Sequence, residues 1–381
     1  GAGKGKGARP LRSFRSFVNR VNPRYRWYPY VERLAVVLES VAAGEIDRLM
    51  IFAPPRHGKS ELVSRLFSAY YLYHHPSRWV GINSYSAELA YTFSRNARDN
   101  YTRAGGTLRG DAYAVKHWET GKVVKGKLEP AGGGYWAAGV GGPIGGKGFH
   151  LGIIDDPIKN AAEAASLTIR DGQWDWYQST FYSRQEPDAA IIVIQTRWHD
   201  DDLSGRLIAA EVDEPEGWTV LHLEAIKGDA RPEYPPSMRL LPDDRRPGEA
   251  LNPTRYPLAK LEKMRGKIGP YFFGALYQQR PRPREGGMFK RDWFQIVAEV
   301  PKCRDYVRYW DKAGTADAGA YTAGVLMGEA DGTYYVIDVI MGQWEAPERE
   351  RIISQTLESD AAAYGFVTTY VEQEPGSGGK E

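Results

Sequence analysis

The chain has 381 residues, of which 42% are hydrophobic and 26% charged, and its 50 Lys and Arg nearly balance 48 Asp and Glu, for a formal net charge of +2. That length allows two or three domains with ordinary hydrophobic cores. The single Cys303 excludes an internal disulfide and suits a reducing cytoplasm. No stretch approaches the roughly 20 apolar residues of a membrane span and the start has no apolar signal core, so a soluble, intracellular protein is expected.

Charge is unevenly placed at the start: Lys4, Lys6, Arg9, Arg12, Arg15, Arg20, Arg24 and Arg26 all precede the first acid, Glu32. Residues 1–30 therefore read as a basic arm, suited either to a polyanion or to keeping the chain in solution. From Tyr28 to Ala43 the spacing predicts an amphipathic helix whose aromatics serve the core or lie near a base. Arg48–Phe52 is a short apolar run of the kind found in a buried parallel strand, and Glu61–Tyr70 returns to helical spacing. Between them Ala-Pro-Pro-Arg-His-Gly-Lys-Ser (53–60) has the composition of a phosphate-cradling loop, with Ala53 in place of the first glycine of the general pattern.

In such a loop Pro55, Arg56, His57 and Gly58 surround the phosphates, the backbone N–H groups after the proline pointing at them, Lys59 reaches the β- and γ-phosphates, and the Ser60 hydroxyl holds Mg²⁺. Arg56 adds a second cation where charge spreads in phosphoryl transfer. Trp79–Ser84 is expected as a strand and Ala87–Arg103 as a helix. Tyr135–Ala138 is a further strand, and the glycine-dense stretch 139–148 a mobile loop whose Lys147 is a candidate contact for DNA or a neighbouring nucleotide. His150–Ile154 is an apolar strand ending in two acids: Asp155 is the expected metal-associated carboxylate and Asp156 the base that polarises water. Ala189–Thr196 is another strand, ending in Gln195, Thr196 and Arg197, polar groups that are candidate γ-phosphate sensors, Gln195 among the expected nucleotide contacts. Alternating strands and helices indicate a mostly parallel α/β sheet over 31–225.

From 226 to 300 the prolines at 232, 235, 236, 242, 247, 253 and 257 predict an inter-domain connection with short helices at 258–265 and 271–279. Residues 301–381 then form a second α/β unit. Strands are expected at 306–311, 320–327 and 334–340, a helix at 348–363 and a strand at 368–372, which is the order of an RNase H-like nuclease. In that chemistry carboxylates clamp two metal ions about 4 Å apart. Asp311 and Glu372 are the expected catalytic metal ligands, with Glu374 as the alternate for the second.

The segments APPRHGKSEL (53–62), NSYSAELA (83–90), GVGGPIGGKG (139–148), HLGIIDDPIK (150–159), QTRWHDDDLSGRL (195–207), GPYFFGALYQQRP (269–281), RYWDKAGT (308–315) and VEQEPGSGG (371–379) together resemble the large terminase subunit of tailed bacteriophages and prophages. The resemblance implies an α/β chain: a P-loop ATPase domain of the ASCE type with a mostly parallel sheet, then an RNase H-like nuclease domain. It implies ATP and Mg²⁺, with Mg²⁺ or Mn²⁺ at the nuclease site, acting on double-stranded DNA in the host cytoplasm. The implied partners are the portal of a procapsid, the small terminase subunit and further copies in a packaging ring, with no membrane. Two departures stand out. Family members commonly carry glutamate where Asp156 stands, and the third nuclease carboxylate of the family lies beyond the Glu372 motif, so the nuclease domain is expected to be incomplete here and its cleavage weak or absent. A helicase-like or transposase-like DNA-remodelling ATPase is the alternative; the first leaves the second acid-bearing unit unexplained and the second leaves the P-loop idle.

Overall fold

The computed structural model describes residues 13–144, 146–282, 294–312 and 321–372, and the chain divides into two compact units, 1–286 and 287–381. The first unit opens with α1 (Phe14–Val21) and α2 (Pro29–Ala42), followed by β1 (Arg48–Phe52). From Ser13 onward the basic arm is a docked helix, capped by Ser13, with Phe14, Phe17 and Val18 fully buried. Its phenyl rings pack edge-on against Phe67 and Tyr70.

After β1 a π-helical stretch, Glu61–Phe67, runs directly into α3 (Ser68–His74). Then come β2 (Trp79–Ser84), α4 (Ala87–Ala104), β3 (Thr107–Ala114), β4 (His117–Val124), β5 (Lys127–Gly139) and β6 (Phe149–Asp155). Further on lie α5 (Ala161–Ala165), α6 (Leu167–Trp176), β7 (Gln185–Gln195), α7 (Leu203–Ala210), β8 (Thr219–His222), β9 (Arg239–Leu240) and α8 (Leu258–Phe272). Side chains that compete with backbone bonding set the helix starts: Ser86, Asn160, Ser166 and Asp202 each accept from the first turn of α4, α5, α6 and α7. Gly269 at φ 79° before Pro270 breaks α8, which accounts for the two helical pieces read from the sequence.

The nine strands form one sheet in the order β3-β4-β5-β2-β6-β7-β1-β8-β9. From β5 to β9 neighbouring strands are parallel, and β3, β4 and β5 form an antiparallel meander at one edge. Both faces of the parallel part are covered, so its strands are apolar at nearly every position. Leu49, Ile51, Ile192 and Ile194 pack with α1 to α4 on one face. Met50, Phe52, Ile191 and Val193 pack with Trp176, Phe181, Leu203 and Trp218 on the other.

Residues 226–282, read above as a connection, belong to the first unit. Ala225, Ile226, Ala250, Leu261 and Phe273 make a small core there, and Asn252 donates from its amide to Tyr30 Oη on α2 at 3.3 Å. Prolines end regular elements without preventing burial between them. Among the described residues no helix is long and apolar enough to cross a membrane.

The second unit has β10 (Asp305–Asp311), β11 (Thr322–Ala330), β12 (Thr333–Gly342), α9 (Ala346–Tyr364) and β13 (Thr368–Val371). Its sheet order is β12-β11-β10-β13, antiparallel except that β13 runs parallel to β10. Asp331 and Gly332, at φ 51° and 78°, make the tight turn between β11 and β12. Arg308 on β10 is 1% exposed and is bound by Asp360 of α9 and by Asp338 of β12, each at 2.8 Å.

Candidate functional site

β7 lies between β1 and β6, and the register pairs Phe52 with Gln195 and Asp155 with Ile194. The C-terminal ends of the three strands therefore deliver the 53–60 loop, Thr196 and the Asp155–Asp156 pair to one place. The loop bends at Arg56 (φ 63°) and Gly58 (φ 82°), where glycine carries the left-handed backbone without strain. Helical bonding starts at once, Leu62 N donating to Gly58 O at 3.0 Å, so the loop ends on a helix N-terminus with its amides unspent.

Lys59 is 7% exposed, and its Nζ donates to Thr196 Oγ1 at 2.6 Å and pairs with Asp156 Oδ2 at 2.8 Å. Asp156, at φ 44°, accepts on its other oxygen from Thr196 N at 2.7 Å. Asp155 is 1% exposed and accepts from Ser60 Oγ at 2.9 Å and Ser64 Oγ at 2.5 Å, while Ser84 Oγ donates to its backbone oxygen at 2.7 Å. Burial, and then the Asp156 carboxylate beside it, push the Asp155 acid well above the carboxylate range against the opposing pull of Lys59, Ser64 and Ser60. An anionic Asp155 is thus short of positive charge. Its oxygen-only surroundings, shared with the Ser60 hydroxyl, fit a hard divalent cation of the Mg²⁺ type.

Arg56 is exposed at the loop tip and carries no ion-pair partner among the described residues. His57 is 2% exposed; its Nδ1–H donates to Pro55 O at 2.9 Å and its ring stacks on Tyr256 at 4.6 Å. Burial, reinforced by Arg255 and Lys59, lowers its pKa to about 4, so it is neutral at pH 7. Tyr30 Oη donates to His57 O at 3.0 Å. Pro55, Arg56, His57, Gly58, Lys59, Ser60, Asp156 and Thr196 line a cleft of about 970 Å³, which Tyr25, Tyr28, Tyr30 and Arg255 also line.

Of the three candidate sensors, Arg197 is bound to Asp202 at 2.9 Å, and Gln195 is 1% exposed and turned toward α7, its Oε1 accepting from Ser204 Oγ at 2.5 Å. Thr196, one position on, is the group at the cleft. Sequence reasoning did not single out Ser64, one helical turn beyond Ser60 and legible from that spacing. It also passed over Asn252 and Tyr256, which brace the loop from a stretch whose prolines signal only turns.

In the second unit Asp311 ends β10 and Glu372 follows β13. The register pairs Trp310 with Val371, and Glu372 N donates to Trp310 O at 2.8 Å, so Asp311 and Glu372 are neighbours on one face of the sheet. Both residues are exposed. Glu374 lies outside the described residues, and among those described no group of three or more His, Cys, Asp or Glu gathers.

A phosphate loop, an acid-bearing strand and an extra strand between them define a P-loop nucleotide-binding fold of the ASCE type. Residues 50–296 match the family described as "Terminase large subunit, T4likevirus-type, N-terminal", and the chain belongs to that family, the large terminase subunits of tailed phages. The match ends before β10. No curated protein matches the sequence. Among solved structures, the HK97 bacteriophage large terminase is similar over 94% of this chain and 74% of that chain, at 16% identity and a TM-score of 0.45. A mutant of the ATPase domain of the Thermus phage P74-26 large terminase is similar over 68% of this chain and 95% of that one, at 12% identity and a TM-score of 0.45.

Proposed function

We propose that this chain hydrolyses ATP to drive double-stranded DNA into a procapsid, and that its second unit is a metal-dependent endonuclease for concatemeric DNA. The observation that carries the reading is the Lys59–Asp156–Thr196 contact at the open ends of β1, β6 and β7. A lysine held by the second acid and a hydroxyl occupies the place a γ-phosphate takes, and it is free to move to that phosphate when nucleotide enters. Backbone N–H groups from Arg56 to Ser60 then cradle the phosphates, and Arg56 faces the charge that spreads over the transferred group. Asp156, released by Lys59, orients the attacking water. Mg²⁺ held by Ser60 and Asp155 would supply neutralising charge to the β- and γ-phosphates.

An arginine from a neighbouring copy can add about 10³- to 10⁵-fold in rate, so the isolated chain is a slow ATPase that speeds up in a ring on the portal. The small terminase subunit brings DNA, contacts to DNA are chiefly with phosphates and weaken with salt, and the work is done in the host cytoplasm. In the second unit, Asp311 and Glu372 are the ligands for Mg²⁺ or Mn²⁺, supported by their register on adjacent strands.

The test is ATP hydrolysis with and without double-stranded DNA and procapsids, comparing wild type with Lys59→Ala and Asp156→Asn. Hydrolysis that rises with procapsids and is lost in both variants is expected. Survival in Asp156→Asn would move the base elsewhere, and no wild-type hydrolysis under any condition would end the motor reading.

A further inference from the structure

The segment following the last helix of the first unit is held far more tightly than a tether needs. Ala225 N donates to Tyr277 O at 2.7 Å, and the Gln278 amide pairs with both backbone groups of Ile226, at 3.1 and 2.7 Å. Arg280 Nε donates to Glu224 at 2.6 Å. Between them Gln279 is 2% exposed and sits at φ 58°, a backbone that a residue other than glycine adopts only where its surroundings hold it. Its Oε1 accepts from Arg197 N at 3.2 Å and its Nε2 donates to Leu276 O. Arg197 N belongs to the peptide that follows Thr196, the residue whose hydroxyl and N–H hold Lys59 and Asp156.

We propose that Gln279 is a positioning residue for the hydrolytic site: its amide fixes the Thr196–Arg197 peptide, and with it the aim of Thr196 at Lys59 and Asp156. The same side chain ties that peptide to the chain just before it leaves for the second unit. The Arg197 guanidinium cannot take over this role, because it has no acceptor, and it is itself committed to Asp202 at 2.9 Å and lies over the Phe52 ring at 5.1 Å. Without Gln279, Arg197 N is a buried donor with no acceptor, and the strand end is free to turn toward another one. Phosphate binding through the loop amides and Lys59 does not depend on this bond, so loss of Gln279 is felt in turnover and not in nucleotide affinity. This inference rests on the cleft being the ATP site proposed above.

The experiment uses the full chain with DNA and procapsids. It compares kcat and KM for ATP, the Kd of a fluorescent ATP analogue and thermal melting in wild type, Lys59→Ala, Gln279→Met and Gln279→Glu. Methionine keeps the volume and removes the acceptor; glutamate keeps an oxygen where Oε1 stands and, as the neutral acid that burial favours, can still donate to Leu276 O. We expect kcat to fall about tenfold or more in Gln279→Met, with analogue Kd within about twofold, and to recover in Gln279→Glu. Should the methionine variant not fold, Gln279→Asn replaces it, since asparagine tolerates positive φ but is one methylene short of Arg197. Unchanged kcat in the folded variant, or kcat and analogue-binding capacity falling together in step with the folded fraction, overturns the proposal. If wild type turns over ATP, Lys59→Ala does not, and Gln279→Met equals wild type, only this inference fails. If wild type hydrolyses nothing, the reading of the cleft fails with it.

Discussion

In the first unit the buried charges Lys59 and Asp155 sit at strand ends beside a cleft, and in the second Arg308 and Asp360 face each other. Lys59 and Asp155 are both buried at the open ends of parallel strands, with Asp156 half-buried beside them, so that one pairing can be exchanged for another when a ligand arrives. Arg308 and Asp360 are equally buried but are locked together between β10 and α9. The acids of chemical interest in the second unit, Asp311 and Glu372, are exposed. Burial of charge therefore does not by itself mark a reactive site; what distinguishes the two is whether the pair sits at a strand end beside open volume.

That contrast can be broken most forcefully at Asp360. Replacing it with alanine leaves Arg308 buried with only the half-exposed Asp338, a change expected to cost about 3–5 kcal/mol. The second unit should melt or become protease-sensitive at lower temperature while ATP hydrolysis by the first unit persists. Calorimetry and limited proteolysis would read this, and an unshifted melting profile would mean that the Arg308 pair holds nothing together.

Lys59→Ala is next in size. Loss of a preorganised cation at the phosphate site is expected to lower kcat about 10²- to 10³-fold, or about 3–4 kcal/mol. The chain should still fold, because β1 and the loop are fixed by apolar burial and by Tyr30, Asn252 and Tyr256. Circular dichroism beside the ATPase assay separates the two effects.

Much of this geometry was legible in the residues. The loop at 53–60 and the pair Asp155–Asp156 are contiguous and end apolar runs, and the order of strands in the second unit followed from their spacing. Which of Gln195, Thr196 and Arg197 reaches the cleft shows the limit. Side chains alternate along a strand, so a shift of one residue exchanges the face toward α7 for the face toward Lys59, and only the register of β7 against β1 decides it. The meander of β3 and β4 was missed because its strands carry few apolar residues: β3 is largely solvated, and β4 buries only Trp118, Thr120 and Gly121. The brace from Asn252 and Tyr256 was missed because it joins residues remote in sequence through a proline-rich stretch.

A smaller effect sharpens the electrostatic half of the comparison. The folded pKa of Asp155 lies above its unfolded value, so its contribution to stability is fully present below about pH 4 and is lost as pH rises through the folded value toward neutrality. His57, lowered to about 4, acts the other way: its contribution is present above about pH 6.5 and is lost as pH falls through the folded value. Melting of nucleotide-free wild type and Asp155→Asn should therefore be compared at about pH 5 and about pH 8, where the His57 contribution is common to both. The variant should gain on wild type at the higher pH, and Mg²⁺ should restore wild type there. Parallel curves would mean that Asp155 is not held against ionisation.

The smallest expected effect concerns the exposed pair. Two carboxylates on one sheet face bind a divalent cation only weakly, with a Kd on the order of 10⁻³ M. Mn²⁺ titration in an Asp155→Asn background, followed by water-proton relaxation, isolates this site from the cleft. Asp311→Asn and Glu372→Gln should each weaken binding by about tenfold, and the double variant should weaken it by less than the product of the two, because the acids share one ion. Strictly multiplicative losses would instead describe two independent surface acids, and the second unit would then lack the feature that makes its strand ends comparable to those of the first.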